Sequence, residues 1–136
     1  MVGKGVLQLR NAYTVTIIDE KTLTFSVNEN VEQHKMEPAG QLIVDSDHYA
    51  FVYLFDAGEG YTYIRFEQPV WHALVDVLTQ EKDPTLQVGE HTFVLQHFFE
   101  ELNMLVYNIE GNDNYGEVFV QAVEQAFAQI LTDAAQ

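Results

Sequence analysis

From Tyr49 to Phe55 the chain reads Tyr-Ala-Phe-Val-Tyr-Leu-Phe, without a charge, a glycine or a proline. As a strand it puts Tyr49, Phe51, Tyr53 and Phe55 on one face and Ala50, Val52 and Leu54 on the other. A strand that is apolar on both faces is stable only in a central place, covered on both sides. Its neighbours are at hand. Leu42-Ile43-Val44 precedes it across an Asp45-Ser46-Asp47 turn, and Tyr61 to Phe66 follows Gly58-Glu59-Gly60, so Gln41 to Phe66 predicts a three-stranded meander. Tyr49, Tyr53, Tyr61 and Tyr63 form a stripe that suits cross-strand aromatic packing and would also suit a ligand groove.

The rest of the chain supplies material to cover that strand. Tyr13 to Val27 alternates as a hairpin, with Tyr13, Val15 and Ile17, then Leu23, Phe25 and Val27, on one face and threonines on the other. The turn falls at Asp19-Glu20-Lys21, and Val6 to Leu9 either extends the first strand or forms a short one. Asn28 to Gly40 is a polar connection with room for a short strand around Val31. Pro69 stands at a first helical position, and Val70, Trp71, Leu74, Val75 and Leu78 keep helical spacing, so Pro69 to Gln80 is a helix that Asp83-Pro84 terminates. Trp71 reads as its core anchor. Leu86 and Val88, then Phe93 and Leu95, flank a Gly89-Glu90 hairpin turn. Two further helices follow, Gln96–Asn108 and Tyr115–Leu131. The expected fold is one α+β domain over residues 1–136, a largely antiparallel sheet with three helices packed on it. An apolar content of 47% supports a folded globule of that kind and not a disordered acidic segment.

Charge excludes more than it identifies. Six Lys and Arg face 21 Asp and Glu, a formal net charge of −15, and no Lys or Arg follows Lys82. Phosphate backbones need the opposite sign, so nucleic acid is not a partner. A protein partner of basic character fits. No apolar run reaches the ~18 residues of a membrane span. The start, Met-Val-Gly-Lys-Gly, lacks the apolar core of a signal peptide, which leaves the cytoplasm as the expected compartment. The absence of cysteine removes disulfides and thiolate chemistry.

Chemical motifs fail one by one. Glu110, Asn112 and Asn114 alternate like the first oxygen ligands of a calcium loop, but Tyr115 stands where its glycine belongs and Gln121 where its closing glutamate belongs. His97 and Glu101 lie one helical turn apart, with His91 upstream, yet a metal needs three converging ligands. The two serines, Ser26 and Ser46, sit in no nucleophile elbow, and no phosphate-binding glycine loop is present. No cofactor and no catalytic residue is indicated.

At Phe98-x-Glu100-Glu101-Leu102 and at Tyr107-Asn108-Ile109-Glu110-Gly111-Asn112-x-Asn114-Tyr115-Gly116-Glu117 the chain resembles a family of small, acidic, uncharacterised proteins from Bacillus-like Gram-positive bacteria. The likeness is sharp over about 25 residues there and holds in outline over the strand-rich first half. It implies a bacterial cytoplasmic protein with no assigned activity.

The functional expectation is a non-enzymatic binding or adaptor protein that offers an acidic surface to a protein partner. The rival is a small-molecule binder or enzyme with a site near the Asn108–Gly116 loop. A homo-oligomer with an aromatic interface is a third reading. The candidate binding surface is Asn108, Glu110, Asn112, Asn114 and Tyr115, a glycine-bracketed polar loop between apolar helices.

Overall fold

The computed structural model describes residues 11–27 and 36–134, so the strands expected near Val6–Leu9 and Val31 fall outside the described residues. Seven strands form one sheet: β1 (Ala12–Asp19), β2 (Thr24–Val27), β3 (Glu37–Asp45), β4 (Ala50–Asp56), β5 (Tyr61–Glu67), β6 (Thr85–Val88) and β7 (His91–Val94). Their spatial order is β3-β4-β5-β1-β2-β6-β7. The helices are α1 (Trp71–Gln80), α2 (Phe98–Ile109), α3 (Glu117–Ala126) and α4 (Ala128–Ala134).

The β3-β4-β5 meander forms as its alternation requires. Ile43 pairs with Val52 and Val44 with Phe51, while Val52 pairs with Arg65 and Leu54 with Tyr63. Phe51, Tyr53 and Phe55 enter the main core, and Ala50, Val52 and Leu54 make a separate buried cluster on the opposite face. The tyrosine stripe therefore divides. Tyr53 is fully buried on the core side, whereas Tyr63 packs on the outer cluster with Tyr61 beside it at 6.4 Å between ring centroids.

The sheet is largely antiparallel, as expected, but mixed, with two parallel pairings. The β1–β2 hairpin is wedged between β5 and β6, pairing in parallel with both, through β1 on one side and β2 on the other. Helix α1 belongs to the crossover from β5 to β6 that spans this wedge. Alternation within a strand carries no information about which distant strand it meets, so only the local antiparallel pairs were readable.

Three local corrections follow from backbone geometry. The register of β1 shifts between Val15 and Ile17, which turns Ile17 outward and leaves Ile18 against the core opposite Phe25. Leu23 is buried, as its apolar character demands, but from the turn and not from a strand, with a left-handed φ of 52°. The segment Glu37-Pro38-Ala39-Gly40, expected as the end of a connection, is the start of β3. A bulge lies there, because Pro38 faces Phe55 while Leu42 already faces Tyr53.

Trp71 is the hub of the core. Its ring lies 5.4 Å from Phe51, 6.1 Å from Phe119 and 6.0 Å from Phe127, and its indole N–H donates to the Phe66 carbonyl at 2.9 Å. It thus joins β4, β5, α1 and α3, as a buried aromatic with a satisfied polar atom can. The long last helix breaks at Phe127, whose φ of −107° leaves the helical range. Phe127 stays fully buried, and Leu131 still donates to its carbonyl at 3.0 Å, so α3 and α4 bend about a core aromatic.

Candidate functional site

Both ends of α2 carry clusters of hydrogen-bonded polar groups. At its carboxyl end lies the loop singled out from sequence. Helix α2 stops at Ile109, Gly111 takes a left-handed φ of 67°, and a 3-10 turn occupies Asp113–Tyr115. The Asn112 side-chain oxygen accepts from the Asn114 N–H at 3.1 Å, closing an Asx turn, and its amide group donates to the Asn108 carbonyl at 3.3 Å. The Asn108 amide donates to the Tyr115 hydroxyl at 2.8 Å. Glu124 reaches back from α3 to accept from the Gly111 N–H at 2.9 Å. The Tyr115 ring sits 6.4 Å from Phe119, which anchors the turn to the core. Four of the five candidate residues are thus placed together. Asn108, Asn112 and Tyr115 are joined by side-chain bonds and Asn114 by its backbone, while Glu110 and Asn114 project as exposed side chains.

The amino end of α2 holds a cluster that sequence reasoning divided among unrelated segments. His97 is the residue before the helix, at a left-handed φ of 65°, and its own side chain does not cap α2. Asp83 does so from a distance. One carboxylate oxygen accepts from the Phe99 N–H at 2.9 Å and the other from the His97 N–H at 3.2 Å, satisfying donors that every helix start leaves open. Beside it the Tyr53 hydroxyl donates to the Gln96 carbonyl at 2.8 Å and accepts from the Gly40 N–H at 3.1 Å. Glu101 accepts from the Leu42 N–H at 3.3 Å, and the Gln96 amide donates to the Pro38 carbonyl at 3.2 Å. These contacts bind the bulged outer edge of β3 to the segment that leaves β7, where the two edges of the curled sheet approach each other. Gly40 permits the approach, because a Cβ there would lie 2.9 Å from the His97 ring at a φ of 75°. Burial, with Asp83 and Glu101 nearby, pushes the Tyr53 hydroxyl up to about 12. A phenol held neutral, with both its donor and its acceptor engaged, serves as a clasp and not as a base.

The His97–Glu101 pairing expected from spacing is replaced. His97 lies 3.2 Å from Glu100, while Glu101 turns inward to β3. The other described histidines are scattered: His48 pairs with Asp45 at 2.8 Å, His72 with Glu20 at 3.4 Å, and His91 stacks against Phe93. Among the described residues no group of three His, Asp or Glu is gathered to hold a metal ion. The clue that could have found the amino-terminal cluster was Asp83 itself, a carboxylate just before proline with a helix start a short hairpin away.

Comparison with known proteins places this architecture in a bacterial setting. Residues 13–127 match the model of UPF0738, a family of unknown function. A UPF0738 protein of Lysinibacillus sphaericus is 49% identical over 127 residues, covering 92% of this chain and 100% of its own length. One of Shouchella clausii is 39% identical over 114 residues, covering 81% of this chain and 92% of its own. The UPF0738 protein YjbL of Bacillus subtilis is 35% identical over 109 residues, covering 80% and 88%. The match runs from β1 through the strand-rich first half to the carboxy-terminal helices. No solved structure matches the chain.

Proposed function

The chain belongs to the UPF0738 family, whose function is unknown, and from that premise we propose that it is a non-enzymatic binding protein that presents an acidic helical surface to a basic protein partner. One observation carries the reading. Beyond Lys82 every formal charge is negative, and Glu90, Glu100, Glu110, Asp113 and Glu117 in that half are exposed side chains. The Asn108–Tyr115 corner suits such a surface, because its internal bonds hold the loop in place before any partner arrives and so lower the ordering cost of binding. Asn108, Glu110, Asn112, Asn114 and Tyr115 then act as a rigid corner whose acids steer the encounter. We place this role in the cytoplasm; among the described residues no helix is long and apolar enough to cross a membrane.

The test uses the full chain as bait, beside a variant with Glu100→Gln, Glu110→Gln, Asp113→Asn and Glu117→Gln. Basic partners should be retained at low salt, released at about 0.5 M salt where screening is near 4 Å, and lost with the variant. Retention that ignores both salt and the four substitutions would remove the proposal.

A further inference from the structure

We propose that the outward row of α2 is the contact centre for a basic amphipathic helix, which lays leucine-type side chains on Met104 and an arginine on Tyr107. The inference rests on the acidic-surface reading and names the chemistry of its partner. Helical spacing defines the row. Glu100, Met104 and Tyr107 stand at i, i+4 and i+7, on the side of α2 away from buried Leu102, Val106 and Ile109. Glu110 follows at the C-cap. The row is open. Met104 and Tyr107 are 56% and 38% exposed, and Glu100 keeps 74% of its side chain exposed although His97 lies 3.2 Å away. Methionine and tyrosine side by side, with a carboxylate at each end, are the make-up of an interface centre and its rim.

Charge and apolar content together select the occupant. Carboxylates bound both ends of the row, and no Lys or Arg follows Lys82, so a cationic partner is attracted and a second acidic copy is repelled. A purely cationic tail would satisfy the carboxylates but leave Met104 and Tyr107 in water. A helix with leucines at helical spacing and arginines on their flanks satisfies both. Arginine suits the Tyr107 end, because a guanidinium stacks on a phenol ring and meets a carboxylate with a planar fork. The Tyr107 hydroxyl donates to the Ile130 carbonyl of α4 at 3.4 Å, which tethers the ring before contact and lowers the cost of ordering it. From Glu100 to Glu110 the row is about 15 Å long, so a partner helix of about three turns covers it.

Two probes test this by titration calorimetry on the full chain at low salt. One is a peptide of about 14 residues with leucines at helical spacing and arginines on their flanks. The other is an oligolysine of equal charge. The amphipathic peptide should bind about tenfold more tightly than oligolysine. Met104→Gln with Tyr107→Gln should lose that tenfold for the amphipathic peptide and leave oligolysine affinity within about twofold. Met104→Gln alone, at the more exposed position, should lose about threefold, and it carries the test if the double variant melts early. Equal affinity for the two peptides, or an amphipathic peptide indifferent to both substitutions, would overturn the inference. Oligolysine binding that the four acid substitutions abolish would in that case still support the acidic-surface reading. No binding of either peptide would overturn both.

Discussion

The two ends of α2 are equally rich in polar side chains, yet those groups do different work. At the carboxyl end the bonds run between residues close in sequence, Asn112 to Asn114 and Asn108 to Tyr115, with Glu124 the most distant partner. They shape one turn. At the amino end Tyr53 reaches Gln96, Glu101 reaches Leu42, and Asp83 reaches His97 and Phe99, so residues from β3, β4, the β6 approach and α2 meet at one seam. Those bonds hold the curled sheet closed. A polar cluster that draws on the whole chain is a fold determinant, and one drawn from a single loop is a local shape.

That contrast is exposed to mutation. Asp83→Ala should have the largest effect, about 2–3 kcal/mol, because it strips two helix-start donors of charged acceptors at once. Urea unfolding would measure it, and a midpoint within error of the wild type would make the seam incidental. Tyr53→Phe should cost roughly 1–2 kcal/mol at neutral pH, since it leaves the Gly40 N–H and the Gln96 carbonyl without a partner. The same variant has a pH signature. Tyr53 titrates at about 12 in the fold against the ordinary 10, so the fold favours its neutral form. The stability this supplies is complete below pH 10 and is lost as pH rises from 10 through 12, by about 2 kcal/mol at the top of that window. Subtracting the pH–stability curve of Tyr53→Phe from that of the wild type should isolate this fall; parallel curves up to pH 12 would contradict it. Asn112→Ala should be the mildest, near 0.5–1 kcal/mol, for the loss of one local turn. Hydrogen exchange sharpens the comparison further: Asn112→Ala should speed exchange only at nearby amides such as Asn114, whereas Tyr53→Phe should speed it at Gly40 and Leu42. Faster exchange at Leu42 in Asn112→Ala would show that the two ends are coupled after all.

Much of the fold was legible, and the limit falls along a physical line. Features set by neighbours in sequence were readable: the β3-β4-β5 meander, the Gly89-Glu90 hairpin, and Trp71 as a core residue, while Pro69, expected to open the helix, lies in a 3-10 turn just ahead of α1. What depended on distant partners was not. Nothing in the period of Tyr13-Val15-Ile17 reveals the bulge that turns Ile17 outward, because the bulge answers to β2. Nothing in the spacing of Phe119 to Ile130 marks the break at Phe127, which the Trp71 and Phe51 rings demand. Pro38-Ala39-Gly40 reads as loop by composition and becomes strand because it pairs along β4, while Tyr53 and Gln96 take the Gly40 N–H and the Pro38 carbonyl. Of the candidate surface, the left-handed Gly111 that ends α2 is a local feature, whereas Asn112 is extended and closes its turn through its side chain. The cluster around Asp83 was not legible, since its members are scattered through the chain.

The wedge of β1 and β2 between β5 and β6 has a consequence for synthesis. The hairpin leaves the ribosome early, but the strands that flank it are made much later, β5 after the meander and β6 only after α1. Until then both its edges stay unpaired, and its core-facing Val15, Phe25 and Val27 lack the lid that buries them. A nascent chain stalled between Asp45 and Glu81 would therefore display an open hairpin, and a pause there is where this protein is most open to aggregation or to capture by a chaperone.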